Sequence, residues 1–211
     1  MKQHARSEGI RPIIGFMGQR YERIEGRIRT FIEQQPVFFT ATAPLSGDGH
    51  VNLSPKGRSG TLVVIDGLTL AYLDFGGSSA ETVAHLREEG NGRITLMWCA
   101  FSGPPKVLRV HGQGEAVFRD DPRWAELIGY FAEVDGPSAR AIVLVRARRI
   151  SDACGFAVPF MTYDEERTQH AEHFARKTDE EFAAYCEKKE HLGVSLDGLP
   201  ALPLPLPART V

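Results

Sequence analysis

Between Val37 and Val145 the chain is cut into short β-rich runs by turn residues, with no repeated strand–helix–strand period. That excludes a doubly wound parallel sheet and favours strands joined by tight turns. The runs are Val37–Ala43, Val51–Arg58, Thr61–Ile65, Leu68–Asp74, Arg93–Ala100, Lys106–Phe118 and Ala141–Val145. Asp66-Gly67 between two of them is a hairpin signal, because both central residues of the favoured two-residue turn need positive φ. Ser46-Gly47-Asp48-Gly49, Gly90-Asn91-Gly92 and Ser102-Gly103-Pro104-Pro105 punctuate others. Gly112 and Gly114 mark a bulge or bend in a run long enough for two strands. Ala141–Val145 is continuously apolar and reads as covered on both faces. The predicted class is α+β, mainly β: a mostly antiparallel barrel with peripheral helices.

Helical periodicity predicts an amphipathic helix over Gln19–Gln35, with Tyr21, Ile24, Ile28, Phe31 and Ile32 on one face. Further helices are expected from Ala80 to about Glu89, from Asp121-Pro122 to Phe131, and over Asp164–Lys189. Leu199–Pro207 alternates proline with leucine or alanine and reads as extended. The expected organisation is an N-terminal arm over 1–18, a barrel over 19–150, a loop and helix over 151–198, and a proline-rich tail over 199–211. At 211 residues one core suffices, and a formal charge of −2 provides no basic field for nonspecific nucleic-acid binding. No apolar run nears the roughly 20 residues that cross a bilayer. Met1 to Gly18 lacks an apolar signal core, and three scattered cysteines match no disulfide or zinc pattern. Both observations favour the cytoplasm.

Chemistry concentrates between Val51 and Arg93. A strand ending Ser54-Pro55-Lys56-Gly57-Arg58 precedes the strand containing Tyr72, then a Gly76-Gly77-Ser78-Ser79 turn and a helix start. A helix N-terminus facing a basic strand end suits a phosphate. The series Phe39-Thr40-Ala41-Thr42, Gly49-His50-Val51-Asn52-Leu53-Ser54-Pro55, Leu70-Ala71-Tyr72-Leu73, His85-Leu86 and Arg93-Ile94-Thr95-Leu96-Met97 resembles the pyridoxamine 5′-phosphate oxidase-like split barrel, over about residues 20–150. Asn52-Leu53-Ser54-Pro55-Lys56-Gly57, with Cys99-Ala100-Phe101 and Gly103-Pro104-Pro105, is similar to an uncharacterised subgroup. The resemblance implies a homodimer with FMN at the subunit interface and a redox reaction on a small molecule. It places Lys56, Arg58, Ser79 and Thr82 near the phosphate, and Ser54, Gly57 and Tyr72 near the ribityl chain or ring. Many members carry a lysine where this chain has Thr82, preceded by Glu81. A hydroxyl there loses the charge-assisted bond, and a carboxylate would repel the phosphate unless turned away.

Each feature also has a plainer reading. Ser78-Ser79-Ala80-Glu81 is equally a capping box, with Ser78 as N-cap. Lys56 and Arg58 are solvated loop charges unless Gly57 brings the backbone close to a ring. Lys106 and Arg109 fall on opposite faces; Arg109 is expected in the barrel-facing or interface set and Lys106 outside. His170 and His173, one turn apart, could share a metal, but a solvated face accounts for them better. The apolar segment Cys154–Met161 is expected to pack over the barrel mouth or reach the partner subunit; Cys154 has no base beside it. No general acid or base is identifiable, so the catalytic residues are unassigned. No Arg-x-His-type substrate signature stands near the C-terminus, so pyridoxamine-phosphate oxidation itself is not favoured. The alternatives are a deazaflavin, needing cations such as Arg87, Arg58 and Lys106, a haem, or a binding protein that has lost its flavin.

Overall fold

A computed structural model describes residues 18–131 and 138–207. Most of the expected N-terminal arm and the last four residues lie outside the described residues. The elements are β1 (Arg20–Tyr21), α1 (Gly26–Gln34), β2 (Val37–Thr42), β3 (Asn52–Gly57), β4 (Leu62–Asp66), β5 (Thr69–Phe75), α2 (Glu81–Arg87), β6 (Arg93–Cys99), β7 (Val107–Val117), α3 (Trp124–Ile128), β8 (Ala139–Ala153), α4 (Gln169–Ala175) and α5 (Asp179–Glu187). All strand pairings among the described residues are antiparallel, in the order β3-β2-β6-β7-β8-β5-β4, with β1 added on β8.

The sheet curls around a core of Phe38, Leu70, Tyr72, Leu96, Trp98, Leu108, Val110, Val143 and Val145. Two helices plug opposite ends. Ile28 and Ile32 of α1 enter beside the start of β2, while Leu86 of α2 packs from the end where Thr42 bonds His85. A second cluster joins Val83 and Ala84 of α2 to Phe174, Phe182 and Cys186 of the C-terminal helices and to Ala201, Leu202 and Leu206 of the tail. A third seats Trp124, Leu127 and Phe131 against the outer faces of Ala71, Leu73 and Ile142. The split-barrel expectation is met: the two end strands of the sheet, β3 and β4, do not pair with each other, and side chains rather than backbone cross the gap from β3 to β5.

Several expectations need correction. The helix expected over Gln19–Gln35 begins only at Gly26, because Arg20 and Tyr21 pair instead with Ser151 and Ile150 of β8. The run Lys106–Phe118 needs none: it is one long strand, Val107–Val117, with the expected irregularity where its register to β8 shifts between His111 and Gly112. The single helix expected over Asp164–Lys189 is two. Thr178 breaks it by starting a new one, accepting from the Glu181 amide while Glu181 bonds back to the Thr178 amide. That capping box stands where none was expected. The expected one at Ser78 is absent: the α2 N-cap is Ala80, without a side-chain cap. Glu81 turns to the Leu196 amide at 3.2 Å.

Candidate functional site

Strand β3 inverts the usual pattern of a barrel strand. Its inward positions are Asn52, Ser54 and Lys56, opposite Thr42, Thr40 and Phe38, while Leu53 and Pro55 point outward. The inward row faces a gap rather than a paired strand, so polar groups there can be satisfied only by side chains or a ligand. Asn52 donates to the Thr82 hydroxyl at 2.9 Å and to the Thr42 hydroxyl at 3.1 Å. Ser54 donates to Asn52 at 2.8 Å. Lys56 Nζ stands 3.5 Å from Oδ1 of Asp74 on β5, and Arg140 Nε donates to the other carboxylate oxygen at 2.7 Å. Arg140 Nη2 donates to the Ser79 carbonyl at 2.6 Å, tying β8 to the lead-in of α2. The Tyr72 phenol lies on the same side of β5 as Asp74.

Ser54, Lys56, Tyr72, Ser79 and Thr82 are thus brought together along the split. Gly57 and Arg58 lie at its end and open into a cleft of about 1320 Å³, lined also by Phe31, Trp98, Phe101 and Tyr163. Arg58 is held at φ 78, a left-handed conformation that costs a non-glycine residue about 1 kcal/mol or more. Its guanidinium stacks 5.5 Å from the Phe75 centroid. Arg109 is elsewhere. Leu108 and Val110 point into the barrel, so Arg109 faces outward beside Met97 and Ser151, which corrects the barrel-facing half of its expectation and leaves the interface half. Lys106 lies over the Phe31 ring, 3.9 Å from Asp152. His170 and His173 pack among Phe75, Phe174 and Tyr185, and His170 Nε2 meets the Gly76 carbonyl. Among the described residues no group of three metal ligands gathers.

The electrostatics of the split favour an anion. Burial alone would raise the Asp74 carboxyl, but Arg140 and Lys56 outweigh it and hold the group below its ordinary range. Burial and the Asp74 charge push the Tyr72 phenol far upward, so it stays protonated. Burial lowers the His85 imidazole, which remains neutral against the Thr42 hydroxyl. Among the described residues, three buried polar atoms in and around this region, His85 Nε2, Arg58 Nη1 and Arg140 Nη1, have no hydrogen-bond partner, while the Tyr72 phenol lies against the Thr40 and Thr82 hydroxyls. Buried polar groups are ordinarily paired, so a concentration of unpaired ones marks where a ligand or water belongs. The two guanidinium nitrogens are donors that suit a phosphate. The helix supplies less than expected, since α2 has 7 residues and a carboxylate in its first turn.

Asn52, Asp74 and Arg140 are additions to the expected set. Asn52 and Asp74 were readable from period two, since each shares a face with an expected residue: Ser54 in one case, Tyr72 in the other. Arg140 has no local signal; only the pairing of Ala141 with Asp74 brings it to the split.

A family model described as pyridoxamine 5′-phosphate oxidase matches residues 24–154. The pyridoxamine 5′-phosphate oxidase family protein ustO of Aspergillus flavus is 34% identical over 194 residues, spanning 86% of this chain and 77% of its own. Among solved structures, HupZ of Group A Streptococcus superposes with a TM-score of 0.50 at 18% identity, covering 61% of this chain and 98% of its own, a likeness of fold. An FMN-binding protein from Syntrophomonas wolfei is more distant, with a TM-score of 0.40 and 14% identity over 57% of this chain and 78% of its own.

Proposed function

We propose that this chain, which belongs to the pyridoxamine 5′-phosphate oxidase family, binds FMN along the split as a homodimer and catalyses a redox reaction on a small molecule in the cytoplasm. The observation that carries this reading is the inverted strand β3. Its polar row, Asn52, Ser54 and Lys56, faces a gap flanked by Tyr72, Ser79, Thr82 and Arg140. Its apolar row, Leu53 and Pro55, faces out beside Phe39, Ala41 and Met97 of the neighbouring strands. One face suits a polar ligand tail and the other suits a second copy of the chain.

Bound FMN supplies the electron-accepting ring; the protein supplies position, charge and access. Lys56, Arg58 and Ser79 would hold the anionic end, while Ser54 and Asn52 offer neutral hydrogen bonds along the ribityl chain. The cleft beyond Gly57 and Arg58 would admit the substrate between aromatic walls. Glu81 keeps its charge, but its carboxylate is turned to the Leu196 amide, which lessens its repulsion of a phosphate. A longer acidic cofactor tail is less well served. Arg87 donates to the Ala201 carbonyl and stacks over Phe118, and Lys106 lies by Asp152.

The test is to purify the protein, record its visible spectrum, identify any released chromophore by mass, and titrate the stripped protein with FMN. Bound or rebindable FMN is expected. Protein that is colourless and takes up neither FMN, deazaflavin nor haem would overturn the reading and leave a barrel with a different ligand.

A further inference from the structure

Two cations share one carboxylate at the split. Asp74 gives Oδ2 to Arg140 and Oδ1 to Lys56, and the Asp74 and Arg140 side chains are 3% and 4% exposed. Two other carboxylates near the split keep their charge but are turned to backbone amides, Glu81 to that of Leu196 and Glu166 to that of Ser59, rather than to Arg140 or Lys56. The Cys186 thiol also faces Arg140, but burial raises its pKa despite Arg140 and Arg119, so it contributes no negative charge. Among the described residues the ion-paired group of Arg140, Lys56 and Asp74 thus carries one more positive than negative charge, in a site where burying unpaired charge is unfavourable. Arg140 also has a nitrogen to spare. Nε is used by Asp74 and Nη2 by the Ser79 carbonyl, while Nη1 is buried without a partner.

We propose that Arg140 is an anion-binding residue of the split, its spare Nη1 and unbalanced charge meeting the phosphate monoester of the cofactor. It would supply from β8 the charge that Thr82 does not supply from α2. Thr82 cannot do so itself, since its hydroxyl is buried and accepts from Asn52. The proposal rests on the FMN reading but goes beyond it, because it gives the phosphate-binding charge to a residue from the opposite end of the barrel domain.

The experiment compares FMN with riboflavin, which differ only in the phosphate, on stripped wild-type protein and on Arg140→Gln. Wild type is expected to favour FMN strongly. Arg140→Gln should lose about 10- to 100-fold in FMN affinity, the range for one charge-assisted hydrogen bond, with riboflavin affinity unchanged. A merely structural Arg140 would weaken both flavins alike, and that result overturns the proposal. So does a wild type that binds both flavins equally, which leaves the FMN reading standing. If Arg140→Gln does not fold, Asp74→Asn tests the same idea with the opposite sign: freeing Arg140 and Lys56 should raise the FMN-to-riboflavin ratio, and an unchanged ratio counts against it. A wild type that binds neither flavin overturns the FMN reading separately. Inorganic phosphate then decides the residue: thermal protection of wild type but not of Arg140→Gln supports it, and equal protection or none overturns it.

Discussion

Replacing Asp74 by alanine should be among the most damaging single substitutions in the protein. It removes the carboxylate shared by Arg140 and Lys56 and, among the described residues, leaves a guanidinium buried to 4% side-chain exposure without an ion-pair partner. Breaking a buried pair from one side typically costs about 3–5 kcal/mol, and the lower figure applies here because Lys56 keeps 24% of its side chain in water. With a urea dependence of about 1–3 kcal/mol per M, the unfolding midpoint should fall by about 1–3 M. Trp98 and Trp124 are both buried, so their fluorescence reports the transition from two sides of the sheet. The double variant Asp74→Ala/Arg140→Met should recover much of the loss, because removing both charges leaves nothing uncompensated. Acid behaviour gives a second readout. A carboxyl held below its ordinary range adds stability above its unfolded pKa of about 3.9 and loses it as pH falls through the folded value. Wild type should therefore lose more stability than the variant as pH falls through that range, the limb from Asp66, Asp121, Glu180 and Asp197 being common to both. A midpoint shift under about 0.3 M, or a double variant as unstable as the sum of the singles, would refute the argument.

Leu53→Arg should convert a dimer to a monomer in sedimentation without lowering stability, since Leu53 is 64% exposed; an unchanged sedimentation coefficient would count against the proposed interface. His50 bonds Asp197 at 2.7 Å, a contact that raises the His50 pKa and lowers that of Asp197, with Glu81 adding to the field at His50. This latch on the tail is fully formed below the unfolded histidine pKa of about 6.5 and weakens as pH rises through the raised folded value. Amide exchange at Leu196, corrected for intrinsic rate, should accordingly quicken above neutrality, and in His50→Ala the pH dependence should vanish. Gly112→Ala should destabilise by about 1–3 kcal/mol in thermal unfolding, because its Cβ would strike the Arg146 carbonyl of the paired strand; a neutral effect would mean the bulge can shift.

Much of the architecture was legible because turn chemistry is local. Asp66-Gly67 does join β4 to β5, though neither residue takes the positive φ of the expected two-residue turn, and Gly112 does sit where the β7–β8 register shifts. The errors arose where tertiary contacts compete with local signals. Arg20 and Tyr21 fit a helical face but gain more by pairing with β8, and Glu81 bonds the Leu196 amide, 115 residues away, rather than closing a box with Ser78. The site was half legible. Lys56 and Tyr72 carry their side of the strand in the alternation, but alternation alone leaves open which side is inward, and for Arg109, expected in the barrel-facing or interface set, only the neighbours Leu108 and Val110 show that it faces outward. Arg140 was out of reach, since what brings it to Asp74 is a pairing across 66 residues.

Strand β8 has a consequence for how the chain is made. It is 15 residues long and serves as the partner of β1, β5 and β7. Until Ala139–Ala153 has left the ribosome, β5 and β7 each present an open edge, and the core between them cannot close. The preceding hairpins can form as they emerge, but they must wait for a strand that follows all of them in the chain. Chains stalled or cut before Ala139 would expose two hydrophobic edges at once, the form of the molecule most in need of a chaperone.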